Sequence, residues 1–141
     1  MKIELTTSPS PDDAKFISQG LIRFNNKHIP ELESEEAVKF SIFARDASNR
    51  IIGGLRATCF WNTLHIELLW VLEKRRGDGI GSRLMERAEV YALKQGYEIS
   101  LLESTSWQAR SFYEKLNYKV MASLPEYPRG HATHFLVKQL V

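Results

Sequence analysis

Three glycines in five residues, Gly77, Gly79 and Gly81, follow the basic run Lys74-Arg75-Arg76 and are followed by Ser82. Glycine lets a backbone adopt turns that a Cβ forbids, and lets a ligand approach the main chain. The periodic apolar residues Ile80, Leu84 and Ala88 begin a helix at the same place. The first amides of a helix have no intrahelical partner and lie at the positive end of its dipole. Such a turn, flanked by cations, suits phosphate oxygens; a glycine loop with no ligand is the alternative. Just upstream, the apolar run Leu64 to Val71 is interrupted by His65 and Glu67. In a strand of period two they fall on one side, and an acid in a buried strand needs a reason to be there. Downstream, Tyr113 offers a phenol that is protonated at neutral pH and able to donate a proton. It also falls on the apolar face of a helix, so periodicity alone would make it core.

Other chemistries have less support. The single cysteine, Cys59, excludes an intramolecular disulfide and a four-thiolate metal site, and its apolar surroundings make it a small buried hydrophobe. The four histidines show no metal-ligand spacing, so no metal is expected. Net charge is only +2, too little to argue for nucleic acid or an anionic membrane. No apolar run approaches the ~20 residues of a membrane span, and the N-terminus lacks the apolar centre of a signal peptide. The cytoplasm is the expected compartment. At 141 residues the chain reads as one domain, 1–141, able to bury a substantial core.

These groups need elements to position them. Ile3 to Thr6 can form a short strand. Ser10 then caps a helix that begins Pro11-Asp12-Asp13, with Phe16, Ile17, Leu21 and Phe24 facing the core. A polar loop follows from Asn25 to Glu36, with an acidic cluster at Glu31, Glu33, Glu35 and Glu36. It reads as a solvated loop, with attraction of a cationic substrate as the alternative. Val38–Arg45 and Ile51–Trp61 form a hairpin, in which Gly53 and Gly54 mark a bulge or a close backbone approach. The strand bearing His65 and Glu67 comes next, then the helix after the glycines, lined by Ile80, Leu84, Ala88, Tyr91 and Ala92 and stopped at Gly96. A short strand spans Ile99–Leu102. A helix starts near Thr105 or Ser106, through a capping box Thr105-x-x-Gln108, and buries Ala109, Phe112, Tyr113 and Leu116. Asn117 tolerates the left-handed turn at its end, and Tyr118–Leu124 and Thr133–Val141 are the last strands. The fold class is α/β: a mixed, mostly antiparallel central sheet with flanking helices.

Arg76-x-x-Gly79-x-Gly81 after an apolar strand ending at Val71 resembles the acetyl-CoA loop, Gln/Arg-x-x-Gly-x-Gly/Ala, of the GNAT N-acetyltransferases. Neither a P-loop, which needs Lys-Ser/Thr after its last glycine, nor a dinucleotide fingerprint, which needs a glycine at Leu84, fits as well. Phe112-Tyr113-Glu114-Lys115-Leu116-Asn117-Tyr118 resembles a second segment of that family, Phe/Leu-Tyr-Glu-Lys-x-Gly-Phe/Tyr. Asn117 stands in for the usual glycine, and an asparagine common at the start of this helix is absent. The element order is similar as well, so the resemblance covers nearly the whole chain.

The resemblance implies a GNAT-like acyl-CoA N-acyltransferase fold and transfer of acetyl from acetyl-CoA directly to a primary amine. It implies Tyr113 as general acid, main-chain contacts from Leu69 and Val71 to pantetheine, and a pyrophosphate site at Arg76, Gly77, Gly79, Gly81 and Ser82. An alkyl ammonium with a pKa of ~10.4 must lose a proton before it attacks, so a base is expected. His65 and Glu67 are the candidates on the strand, with His131 and Tyr127 in the loop before the last strand; the choice stays open. Trp61, Trp70, Trp107, Tyr127 and Phe112 are candidate walls of an acceptor cleft. The acceptor is a small-molecule amine or a peptide. A non-catalytic acyl-CoA-binding module and a protein N-acetyltransferase are the rival readings. The resemblance also brings in a homodimer, since many relatives are dimers.

Overall fold

A computed structural model of the chain describes residues 1–32, 37–108 and 110–141. Ala109, expected in the core, and Glu33, Glu35 and Glu36 of the acidic loop lie outside the described residues. Two compact units divide between residues 35 and 36.

In the first unit, helix α1 spans Pro11–His28. Its start matches the sequence: the Ser10 hydroxyl accepts from the Asp13 amide at 3.1 Å, Pro11 opens the helix, and Asp12 and Asp13 face the dipole. The helix runs four residues further than the loop boundary expected at Asn25, because Lys27 and His28 suit its negative end; Pro30 then begins a short turn, Pro30–Leu32. Two expectations fail here. Ile3–Thr6 forms no strand: a strand needs a ladder partner for its backbone, and none of the described strands pairs with it. Phe16, Ile17, Leu21 and Phe24 are exposed rather than buried, since a single helix has no second layer within its unit.

The second unit is a six-stranded sheet with two helices. Strands β1 (Val38–Arg45), β2 (Ile51–Phe60), β3 (Thr63–Val71), β4 (Ile99–Thr105), β5 (Lys119–Pro125) and β6 (Ala132–Gln139) lie in the order β1-β2-β3-β4-β6-β5. Every pair is antiparallel except β3–β4. Helix α2 spans Ile80–Lys94 and α3 spans Arg110–Lys115. The core lies between one face of the sheet and α2: Leu55, Ala57, Cys59, Leu64, Ile66, Leu102 and Leu136 meet Leu84, Met85, Ala88 and Ala92. The 3.6-residue periodicity read from the sequence is thus the buried stripe of α2, with Ile80 and Tyr91 at its margins. Gly96 (φ +92°) and Asn117 (φ +73°) take the left-handed turns expected of them.

The expected capping box is half present. The Gln108 side chain accepts from the Thr105 amide at 3.0 Å, but the Thr105 hydroxyl bonds nothing among the described residues. Residues 103–105 continue β4 on the β6 ladder instead, and α3 begins at Arg110. Thr105 suits a strand as well as a cap, and seven ladder partners outweigh one capping bond.

Candidate active site

The site is a fork. β3 and β4 pair in parallel over four rows, Thr63–Ile99 to Ile66–Leu102, and then part. Beyond that row, Glu67 to Val71 of β3 face no β4 partner. At the same row β3 carries a bulge: Arg56 and Ala57 of β2 face Leu68 and Ile66, leaving Glu67 as the extra residue. A bulge bends its strand and shifts the alternation of side chains by one. Accordingly Leu64 and Ile66 face the core before it, and Leu69 and Val71 pack against the core after it. A cleft of about 940 Å³ fills the fork. Its lining includes Glu67 to Val71 of β3, Arg76, Gly77, Gly79, Gly81 and Ser82 of the glycine loop, Glu103 and Thr105 of β4, and Trp107, Gln108, Phe112 and Tyr113 at and before α3.

The glycine loop closes one end. Gly77 and Gly79 have φ of +90° and +80°, so both need the residue they have. Gly79 caps α2, whose first turn-closing bond runs from the Arg83 amide to the Gly79 carbonyl at 3.1 Å. The amides of Ile80, Gly81 and Ser82 precede that bond and have no helical acceptor. The Arg76 Nε donates to the Val71 carbonyl at 3.1 Å, tying the loop to the end of β3, and Arg75 pairs with Asp78 at 2.9 Å. Close approach explains two further glycines. A Cβ on Gly53 would meet the Trp70 carbonyl and Ile80 at 3.1 Å, and one on Gly81 would meet the Phe112 ring at 3.2 Å. Gly81 therefore lets α3 rest on the first turn of α2, which brings Tyr113 to the same cleft as the loop.

Tyr113 is largely buried between Phe112 and Tyr118, with ring centroids at 5.1 and 6.1 Å. Burial pushes its phenol above the usual tyrosine value, so it stays protonated. Glu67 turns towards β2: its carboxylate accepts from the Thr58 hydroxyl and, at 2.8 Å, from Arg56 Nε. These two bonds, the Thr58 one first, hold its pKa below the usual glutamate value. Glu67 is a firm carboxylate.

The other candidates are placed differently. His65 stacks on Phe60 at 4.3 Å and does not line the cleft. Burial lowers its pKa against the pull of Glu67, so the imidazole is neutral. His131 packs edge-on against Trp107 at 4.9 Å, and the Tyr127 carbonyl accepts from Thr133; neither side chain lines the cleft. Trp70, Trp107 and Phe112 line it, whereas Trp61 sits in a left-handed turn against Phe60. Cys59 is fully buried and its thiol is pushed up to about 11 by burial. Among the described residues, no cluster of three or more potential metal ligands occurs, and no helix is long and apolar enough to cross a membrane.

The family model of the acetyltransferase (GNAT) domain matches residues 38–120. The chain belongs to the GNAT acetyltransferase family. It is similar to a blasticidin-S acetyltransferase of Streptomyces morookaense, 37% identical over 115 residues, which are 81% of this chain and 85% of the relative. The crystal structure of an acetyltransferase from Bacillus cereus ATCC 14579 superposes with a TM-score of 0.85 at 30% identity, covering 96% of this chain and 97% of that one. An aminoglycoside 6'-N-acetyltransferase complexed with coenzyme A shares the fold, with a TM-score of 0.66 at 17% identity over 100% of this chain and 98% of that one.

Two features of this GNAT acetyltransferase were not read from its sequence. Glu103, on the β4 wall, lies beyond the strand end set at Leu102; the signal was the β-compatible Ser104-Thr105 that follows it. Behind the core, the Tyr118 hydroxyl joins Ser100 at 2.7 Å and Glu89 at 2.9 Å, while Lys138 reaches Glu89 at 2.7 Å. Residues 18 to 49 apart in sequence make this network, and no local pattern announces it.

Proposed function

We propose that this GNAT acetyltransferase moves the acetyl group of acetyl-CoA directly to a primary amine of a small-molecule acceptor. The observation that carries the reading is the fork itself, with a phosphate-suited loop at one end and a protonated phenol on the facing wall. The β3 edge at Leu69 and Val71, which no β4 residue pairs and of which Arg76 takes only the Val71 carbonyl, is fitted to pair with the amides of pantetheine, as another strand would. Arg76, Gly77, Gly79, Gly81 and Ser82 are fitted to the pyrophosphate through main-chain amides and positive charge. Bound acetyl-CoA supplies an activated thioester.

The amine nitrogen forms its bond to the acetyl carbon as the carbon–sulfur bond breaks. Tyr113 holds the proton that the departing sulfur takes up, its raised pKa keeps that proton in place beforehand, and the proton shed by the newly acylated nitrogen restores the phenol through solvent. Glu67 holds the incoming ammonium. Its depressed pKa makes it an anchor first and a weak direct base, so the ammonium's proton leaves to solvent in the cleft. The elevated thiol pKa of Cys59 and its burial favour direct transfer over an acyl-enzyme. The relative named for blasticidin S favours a small molecule over a peptide acceptor. Thiol release from acetyl-CoA is the test, measured against a panel of small amines and short peptides. Release with a small amine and none with peptides is expected. Release with peptides alone overturns the acceptor class, and acetyl-CoA binding with no release on any of them overturns the transferase reading.

A further inference from the structure

Helix α3 has six residues, Arg110–Lys115, and none of them is fully buried. Isolated helices below about 12–15 residues are marginal, so contacts outside α3 must hold it and Tyr113 in place. Its C-terminal turn supplies one. The Asn117 amide donates to the Glu114 carbonyl at 3.0 Å and the Tyr118 amide to the Tyr113 carbonyl at 3.1 Å, with Asn117 left-handed between them. These are the two bonds of a Schellman motif, in which the residue just past the left-handed one packs against the third residue from the helix end. In α3 those residues are Tyr118 and Tyr113, whose rings meet edge-on at 6.1 Å. Among the described residues nothing hydrogen-bonds the Tyr113 hydroxyl itself, so its direction comes from packing against Phe112 and Tyr118.

Tyr118 is anchored where Tyr113 is not. It is 2% exposed, and its hydroxyl donates to Glu89 of α2 at 2.9 Å and accepts from Ser100 of β4 at 2.7 Å. Lys138 of β6 bonds the other Glu89 oxygen at 2.7 Å and lies over the Tyr118 ring at 5.7 Å. One phenol is thereby fixed to a helix and two strands. A phenylalanine would fill the same space with no polar group to satisfy, so the hydroxyl contributes direction rather than volume. α2 is also the helix whose first turn carries the amides fitted to the pyrophosphate. The bond from Tyr118 to Glu89 joins that helix to the turn that carries Tyr113.

We propose that Tyr118 is a positioning residue: through its bond to Glu89 it holds the Tyr113 phenol in a fixed place relative to the phosphate loop. In the transferase reading, on which this rests, Tyr113 gives its proton to the departing sulfur. A displacement of about 1 Å near a reacting group can cost on the order of a hundredfold in rate. Tyr118 does not line the cleft, so its loss acts on turnover and not on the hold on acetyl-CoA.

The test is Tyr118→Phe, alone and combined with Tyr113→Phe, on the full chain at a temperature where circular dichroism shows every variant folded. In Tyr118→Phe, kcat is expected to fall about tenfold, with the calorimetric affinity for acetyl-CoA unchanged. The double variant is expected to be no slower than Tyr113→Phe, since a displaced acid and an absent one affect the same step. A kcat equal to wild type overturns the proposal, as do additive losses, which mean a general loosening. Glu89→Ala is expected to reproduce the fall, and Glu89→Gln, which keeps an acceptor for the hydroxyl, to stay close to wild type. Equal effects of those two overturn the role given to the bond. A readout free of turnover is the carbon-13 resonance of the Tyr113 Cζ with coenzyme A bound, single in wild type and expected to broaden or split in Tyr118→Phe. An unchanged line overturns the proposal. If wild type turns over no amine, the transferase reading fails, and this resonance alone decides whether Tyr118 places Tyr113.

Discussion

β3 and β4 behave as two different structures along one pair of strands. Over the paired rows, polar groups beneath the sheet are matched: Ser100, Tyr118, Glu89 and Lys138 satisfy one another in a chain of bonds between 2.7 and 2.9 Å. Past the bulge at Glu67 the ladder ends, and among the described residues the groups left without a bonded partner are the part of the β3 edge beside the Val71 carbonyl that Arg76 takes, the buried Ser104 and Thr105 hydroxyls, and the exposed Glu103 carboxylate. Buried polar groups in native proteins are nearly always paired. The paired half uses its polarity to hold the fold, and the open half is where acetyl-CoA is proposed to bind. One added residue on β3 marks the boundary between the two.

The contrast breaks most decisively at the glycine loop. Gly79→Glu puts a side chain on a left-handed residue and a negative charge where phosphates are expected, so acetyl-CoA binding should fall more than a hundredfold by calorimetry. Retained affinity would locate the phosphates elsewhere. Tyr113→Phe is next: turnover should fall about a hundredfold, within the range of general-acid effects, with acetyl-CoA affinity unchanged. A steady-state comparison that shows equal kcat removes Tyr113 from the chemistry.

Tyr118→Phe probes the paired half. It strands the buried Ser100 hydroxyl and takes a donor from Glu89, a cost of about 1–3 kcal/mol in denaturant unfolding. Acetyl-CoA affinity should not change; a loss of affinity without a loss of stability would erase the distinction between the halves. Glu67→Gln gives the smallest effect. The folded pKa of Glu67 lies below the unfolded one, so its bonds to Thr58 and Arg56 stabilise the fold at neutral pH and fade as pH falls through the depressed value. With the pair partly exposed, the difference between wild type and variant should be under about 1 kcal/mol at pH 7 and vanish in acid. A difference that persists at low pH would mean that Gln alters packing instead.

Much of this was legible in the residues, and the limits have physical causes. Periodicity found α2 and its buried stripe because a long helix repeats its signal four times over. The same rule found α1 but misjudged its burial, since amphipathicity states which face is apolar and not what covers it. The glycine loop was legible because a left-handed φ restricts residue type. His65 and Glu67 were placed together by a period of two, yet only Glu67 reaches the cleft. The bulge that separates them is a register property of two strands, invisible in either alone. Glu103 escaped for a related reason, as the strand was ended where its apolar run stopped rather than where its ladder does.

The distribution of tryptophans gives the molecule an optical handle. Of the three, Trp70 on β3 and Trp107 just after β4 line the cleft, while Trp61 lies outside its lining. Filling the cleft changes the polarity around two indoles and leaves the third as a constant background, so emission reports occupancy without a label. Replacing Trp61 with Phe removes that background, and replacing Trp70 or Trp107 singly tells which of the two strands' ends a given ligand has reached.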